Sequence, residues 1–180
     1  VMELVEGQAL DKLSGRSSGP LAWEQVKPLF QQLLDAVGYA HEHDVVHRDL
    51  KPENIIVDAQ DRTKILDFGI AKDLGSDKTK TGTGMGTVHY MAPEQYLDAK
   101  AVDQRADIYA LGIILYELMA GRLPWDRTDT EYGILEQKKH GNLPSPTSFC
   151  PDIPPVIVEA IRRATAADID ERYSSIADFS

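Results

Sequence analysis

Cysteine is almost absent: Cys150 is the single one in 180 residues, which excludes an intramolecular disulfide framework and fits a reducing compartment. Positive charge is scarce too. Lys and Arg total 19 against 29 Asp and Glu, a formal charge of -10, so the surface as a whole repels nucleic acid and any anion site must be a local concentration of cations. No run approaches the ~20 apolar residues that span a bilayer. The opening stretch, Val1 to Gly7, holds two glutamates where a signal peptide would be basic. The expectation is a soluble, cytoplasmic chain with no membrane segment and no nucleic-acid partner. It lacks an initiator methionine and stops at Ser180 inside a helical pattern, and so reads as part of a larger protein. His41, His43 and His47 are close in sequence, but position 45 is Val, which rules out an HExxH zinc pattern. His89 and His140 are expected at the surface. No internal repeat is present, and the length suits one domain.

What is there is mainly helical pattern. Residues 1 to 5 could form a strand, followed by a turn at Glu6-Gly7, and Gly15 to Pro20 is a polar break. From Trp23, apolar residues at 26, 29, 30, 33, 34, 37 and 40 recur at helical spacing, predicting a long amphipathic helix to about His43. Pro28 is tolerated because it lies near the start. Short β-like pieces follow at Val45-Val46, Ile55 to Val57 and Lys64 to Leu66, with a turn over Asp58 to Arg62. Asp73 to Thr87 is nearly all Gly, Ser, Thr, Lys and Asp without periodicity, the composition of a long functional loop. Ile108 to Ala120 is apolar on every face and therefore predicts a buried helix. Thr128 to Glu131 reads as a capping box opening a helix that ends before Gly141, and Pro154-Pro155 precedes another through Ala166. The fold class is mainly α with a few short β-strands.

The stretch that carries chemistry is His47-Arg48-Asp49-Leu50-Lys51-Pro52-Glu53-Asn54, followed by Asp67-Phe68-Gly69. It gathers two acids, two cations and an amide into one loop, with a further acid on a later turn. Carboxylate and carboxamide oxygens suit magnesium, which takes a few protein oxygens plus phosphates and water. An aspartate with a lysine two positions on could orient a hydroxyl and neutralise a phosphoryl group. Asp49 and Asp67 as a glycosidase pair would need a sugar cleft, which nothing in the sequence supports.

HRDLKPEN, DFG and Ala92-Pro93-Glu94, in that order and followed by an all-apolar helix, resemble the C-terminal lobe of a eukaryotic-like protein kinase. The resemblance covers essentially the whole chain. Lys51 places it with the serine/threonine branch, and Met91-Ala92-Pro93-Glu94-Gln95 with Gly86, Thr87 and Tyr90 before it is similar to bacterial Hanks-type kinases. The resemblance implies that residues 1 to 180 are a C-lobe starting at the hinge, an α+β part of the full kinase fold with its last helix cut. The implied activity is transfer of the ATP γ-phosphate to Ser/Thr hydroxyls of proteins, with ATP and Mg2+ as cofactors.

By that resemblance Asp49 orients the substrate hydroxyl, Lys51 steadies the γ-phosphate, and Asn54 and Asp67 hold magnesium. Met2, Glu3 and Val5 match the gatekeeper and hinge against adenine, Ile56 the floor beneath the ring, and Leu66 the pocket wall. His47 and Phe68 match a stacked regulatory spine. Asp107 would anchor the catalytic loop, and Glu94 would pair with Arg172. Residues 67 to 94 correspond to the activation segment, where Thr81 and Thr83 are the phosphosite candidates. A phosphate there adds about -1.5 to -2 charges and would attract Arg48 and Lys72. Thr87 matches a residue that bonds Asp49 and Lys51 and seats the substrate.

Two departures from the family stand out, Ile169 where a proline often sits and Tyr109 for a frequent tryptophan. A glycine-rich loop, a strand lysine and its partner glutamate are not found before the hinge, so the chain alone is expected to bind MgATP weakly and transfer phosphate poorly or not at all. The resemblance implies protein substrates as partners and leaves room for self-association in autophosphorylation. A non-catalytic half-kinase that docks a protein partner stays open as the alternative. A small-molecule phosphotransferase is opposed by Lys51 and the Ala92-Pro93-Glu94 segment.

Overall fold

The computed structural model describes residues 5–13, 19–67, 87–97, 102–126 and 128–180, with Thr87 described in its backbone. In chain order the elements are β1 (Gln8–Ala9), α1 (Leu10–Leu13), α2 (Trp23–Glu42), β2 (Ile55–Val57), β3 (Thr63–Ile65), α3 (Thr87–Tyr90), α4 (Pro93–Leu97), α5 (Arg105–Ala120), α6 (Glu131–Lys139), α7 (Pro155–Ala164) and α8 (Ile176–Phe179). Single 3-10 turns lie at Pro52–Asn54, Pro146–Ser148 and Ile169–Glu171.

The centre of the fold is α5, in which every residue after Arg105 is buried. It begins three residues before the apolar run itself, because the first turn carries Asp107 and starts where Asp103 accepts from the Arg105 N–H at 2.8 Å. It stops at Gly121, whose left-handed backbone (φ 71°) closes the helix onto the Glu117 carbonyl. Helix α2 lays Val26, Leu29, Phe30, Leu33, Leu34 and Val37 on this core, as the spacing predicts. Helix α7 turns Ile157, Ile161 and Ala164 inward, with Pro155 at its first position where the missing N–H costs nothing.

Where α7 meets α5 the backbones approach closely. A Cβ at Gly112 would lie 2.8 Å from both Ala164 Cβ and Thr165 Cγ2. Gly112→Val is therefore expected to destabilise by about 1–3 kcal/mol through overpacking. The effect would be read as a lower urea midpoint at unchanged slope; an unchanged midpoint would mean that the two helices separate at no cost.

A three-stranded antiparallel sheet in the order β1-β2-β3 flanks the helices. β2 alternates, with Ile55 and Val57 buried and Ile56 on the opposite face. The turn over Asp58 to Arg62 is closed by Asp58, whose carboxylate accepts from the Gln60 and Arg62 N–H groups.

Four local expectations differ from what is observed. Val45-Val46 forms no strand, because among the described residues no strand lies opposite it and the Val45 N–H is spent on Ala40 at the end of α2. The first strand is Gln8–Ala9, paired to β2, and Val5 lies in no strand; residues 1–4 fall outside the described residues. The cap of α6 is Thr130, which accepts from the Gly133 N–H at 3.1 Å, and not Thr128. His89 is half-buried against Trp125, its ring stacked at 6.2 Å, rather than at the surface. The loop expected over Asp73 to Thr87 falls outside the described residues up to 86.

Candidate active site

Strand pairing assembles the site. β2 and β3 run antiparallel with Ile55 opposite Ile65, and the Leu66 N–H donates to the Asn54 carbonyl at 2.8 Å. Residues 54 and 67 are thereby brought to the same end of the sheet, although thirteen positions separate them. The loop before β2 then supplies Asp49 and Lys51.

That loop is held from below by Asp107. The carboxylate, 1% exposed, accepts from the His47 and Arg48 N–H groups and from His41 Nε2, each at 2.8 Å. Two backbone donors that would otherwise be buried unpaired are satisfied this way, and Arg48 is fixed in the left-handed region at φ 64°. His47 is fully buried. Its Nδ1 accepts from the Asp49 N–H at 3.3 Å, so Nε2 is the donor to the Leu66 carbonyl at 3.0 Å. The ring thus ties the loop to the strand end that precedes Asp67.

Asp49 accepts from Lys51 Nζ at 3.2 Å through Oδ2, while Asn54 Nδ2 donates to the Asp49 carbonyl at 3.0 Å. Asp49 Oδ1 accepts no hydrogen bond among the described residues. With its nitrogen committed to Asp49, the Asn54 amide leaves its oxygen available, and Asp67, exposed and in the left-handed region at φ 51°, presents a carboxylate. One carboxamide and one carboxylate oxygen fit magnesium, which completes its shell from phosphate and water. Among the described residues no group of three or more His, Cys, Asp or Glu forms a protein-only metal cage.

The segment from 87 to 97 borders this loop. Gln95 bridges the two, donating to the Arg48 carbonyl at 2.8 Å and accepting from the Ala92 N–H at 2.9 Å. Tyr90 donates its hydroxyl to buried Glu117 on α5. Glu94 accepts a two-pronged contact from Arg172, at 2.8 and 2.9 Å, and the guanidinium lies 4.9 Å from the centroid of the Tyr109 ring. Ile56 and Leu66 are half-buried at the sheet, with Ile56 against Gly7, where a Cβ would come within 2.5 Å of Ile56 Cγ2. Val5 is half-buried and lies in no helix or strand. Met2, Glu3, Phe68, Lys72, Thr81 and Thr83 lie outside the described residues, as does the side chain of Thr87.

Three residues contribute in roles the sequence did not assign them. His41, weighed only as a metal ligand, is a donor to Asp107. Gln95 joins two loops. Lys138 is fully buried, and its signal is legible afterwards: it falls three and four positions after Leu135 and Ile134, on the apolar face of α6.

The model of the protein kinase domain matches residues 1–176. The chain belongs to the protein kinase domain family. Among its relatives are the probable serine/threonine-protein kinase PknB of Lactococcus lactis, 38% identical over 98% of this chain, and the serine/threonine-protein kinase PrkC of Bacillus subtilis, 38% identical over 99%. The serine/threonine-protein kinase Pkn1 of Myxococcus xanthus is 40% identical over 99%. This kinase chain spans 28%, 27% and 26% of the length of those three relatives. Among its described residues no helix is long and apolar enough to cross a membrane.

Proposed function

We propose that residues 1–180 are the substrate-binding C-terminal lobe of a bacterial serine/threonine protein kinase, beginning at the hinge and working in the cytoplasm. The observation that carries the reading is Asp49: one carboxylate oxygen is engaged by Lys51 at 3.2 Å and the other has no partner among the described residues, in the loop that leads to Asn54, which strand pairing places at the same sheet end as Asp67. In the reaction, Asp49 Oδ1 takes the proton of a Ser or Thr hydroxyl as that oxygen bonds to the γ-phosphorus of ATP. The bond from that phosphorus to the bridging oxygen breaks, and ADP leaves. Lys51 offsets charge on the transferring group. Asn54 and Asp67 would hold Mg2+, which when bound neutralises charge on the phosphate oxygens.

Val5, with Met2 and Glu3, would line the adenine site, Ile56 its floor and Leu66 its wall. His47, with Phe68, and Asp107 position the loop, and Glu94 with Arg172 fixes the end of the activation segment. Phosphorylation at Thr81 or Thr83 would recruit Arg48 and Lys72, with self-association as a route to it, and Thr87 would seat the substrate. Phosphotransfer from the 180-residue chain alone is expected to be weak or absent, and to appear when the chain is supplied within a complete kinase domain. The test is label transfer from γ-labelled ATP to Ser/Thr peptides with and without EDTA. A complete domain that labels nothing, or labels equally without divalent metal, would overturn the reading.

A further inference from the structure

Lys138 is the one fully buried ammonium among the described residues, and it faces no carboxylate at ion-pair distance. Its Nζ donates instead to three main-chain carbonyls, Val88 at 2.6 Å, His89 at 2.9 Å and Met91 at 2.6 Å. A lysine has three N–H donors and no acceptor, so every donor is used once. The rings of Trp125 and Tyr109 complete the cage, with centroids 4.6 and 5.4 Å from Nζ. Burial pushes the ammonium well below the usual lysine range, and Glu94 pulls it back up. Three carbonyl dipoles and two ring faces are what this site offers the charged form in place of water.

The recipient of these bonds is specific. α3 is a single turn, Thr87–Tyr90, too short to satisfy its own C-terminal carbonyls, and such carbonyls attract cations. Lys138 caps that turn from another helix. The end of that turn reaches the loop of Asp49, since Tyr90 and Met91 line one small cleft with Arg48 and Asp49, and Gln95 donates to the Arg48 carbonyl at 2.8 Å. The main chain at 90–91 is therefore a ledge beside Asp49, and α6 holds it through one side chain, at the Met91 carbonyl and at the turn that precedes it.

We propose that Lys138 is a positioning residue for the protein substrate, holding the ledge on which the peptide beside the acceptor hydroxyl rests. The inference depends on the kinase reading given above. The experiment uses a complete kinase domain containing this chain, with peptide and ATP varied separately. Lys138→Met is expected to raise the peptide KM about tenfold or more, the equivalent of ~1.4 kcal/mol, while the ATP KM stays within about twofold. Lys138→Gln, which keeps an amide donor for some of the carbonyls, is expected to fall between. Peptide and ATP KM moving together, or a loss confined to the fraction of folded enzyme with both KM values unchanged, would overturn the assignment. So would failure of both variants to fold, which would make Lys138 a stability residue only. A wild-type domain that transfers no phosphate would instead overturn the kinase reading, an outcome separate from a wild-type-like peptide KM in the variants.

Discussion

Asp49→Asn in a complete kinase domain is expected to lower kcat by about 10²–10⁴, the range lost with a general base, with little change in nucleotide affinity. Asparagine matches the shape of the carboxylate, and the Asn54 amide bonds the Asp49 main-chain carbonyl at 3.0 Å, a contact the substitution leaves in place. The His47, Arg48 and Asp107 framework is likewise untouched, since it rests on backbone N–H groups. What disappears is the oxygen that can accept a proton, together with the negative partner of Lys51 at 3.2 Å. Steady-state phosphate transfer and calorimetric nucleotide binding on the same preparation check this. A kcat loss under about tenfold would mean that Asp49 is not the base.

The second large effect concerns stability. Arg172→Met is expected to cost about 3–5 kcal/mol, because removing one member of a buried pair strands the other. The Arg172 side chain is fully buried and that of Glu94 is 15% exposed. Arg172 also donates from Nε to the Ala166 carbonyl at 2.8 Å, so the substitution leaves that acceptor without its donor. The double variant Arg172→Met with Glu94→Leu is expected to regain part of the loss, since an apolar pair of similar volume avoids the desolvation penalty. Urea unfolding of the three variants measures the coupling. Additive single losses, with no recovery in the double, would show that the two groups act independently.

Long periodic elements were legible because their packing is written in one segment. The apolar stripe of α2 and the all-apolar surface of α5 each follow from local sequence alone. The motif residues Asp49, Asn54 and Asp67 stand out by resemblance, and strand register brings Asn54 and Asp67 to one end of the sheet. What escaped depends on partners distant in sequence. Gln8–Ala9 becomes a strand only because Val57 and Ile56 lie opposite, and Val45-Val46, with a stronger local β signal, finds no strand to pair with among the described residues. Thr128 has the better local cap pattern, with Glu131 three positions on, but the helix itself starts at Glu131, so Thr130 is the cap. Lys138 shares a helix side with Ile134 and Leu135, but the carbonyls of residues 88, 89 and 91 that receive it come from a distant segment.

Arg48 and Asp67 both hold a left-handed backbone, at φ 64° and 51°, on the two arms of the site. Side chains pay roughly 1–2 kcal/mol for that conformation and glycine does not. A laboratory selection for heat resistance alone would therefore be drawn toward Arg48→Gly and Asp67→Gly. Its survivors would melt later and, on the kinase reading, signal less, whereas glycine at Asp44 or Asp61, which share the left-handed backbone outside the site, would bring the gain without that loss.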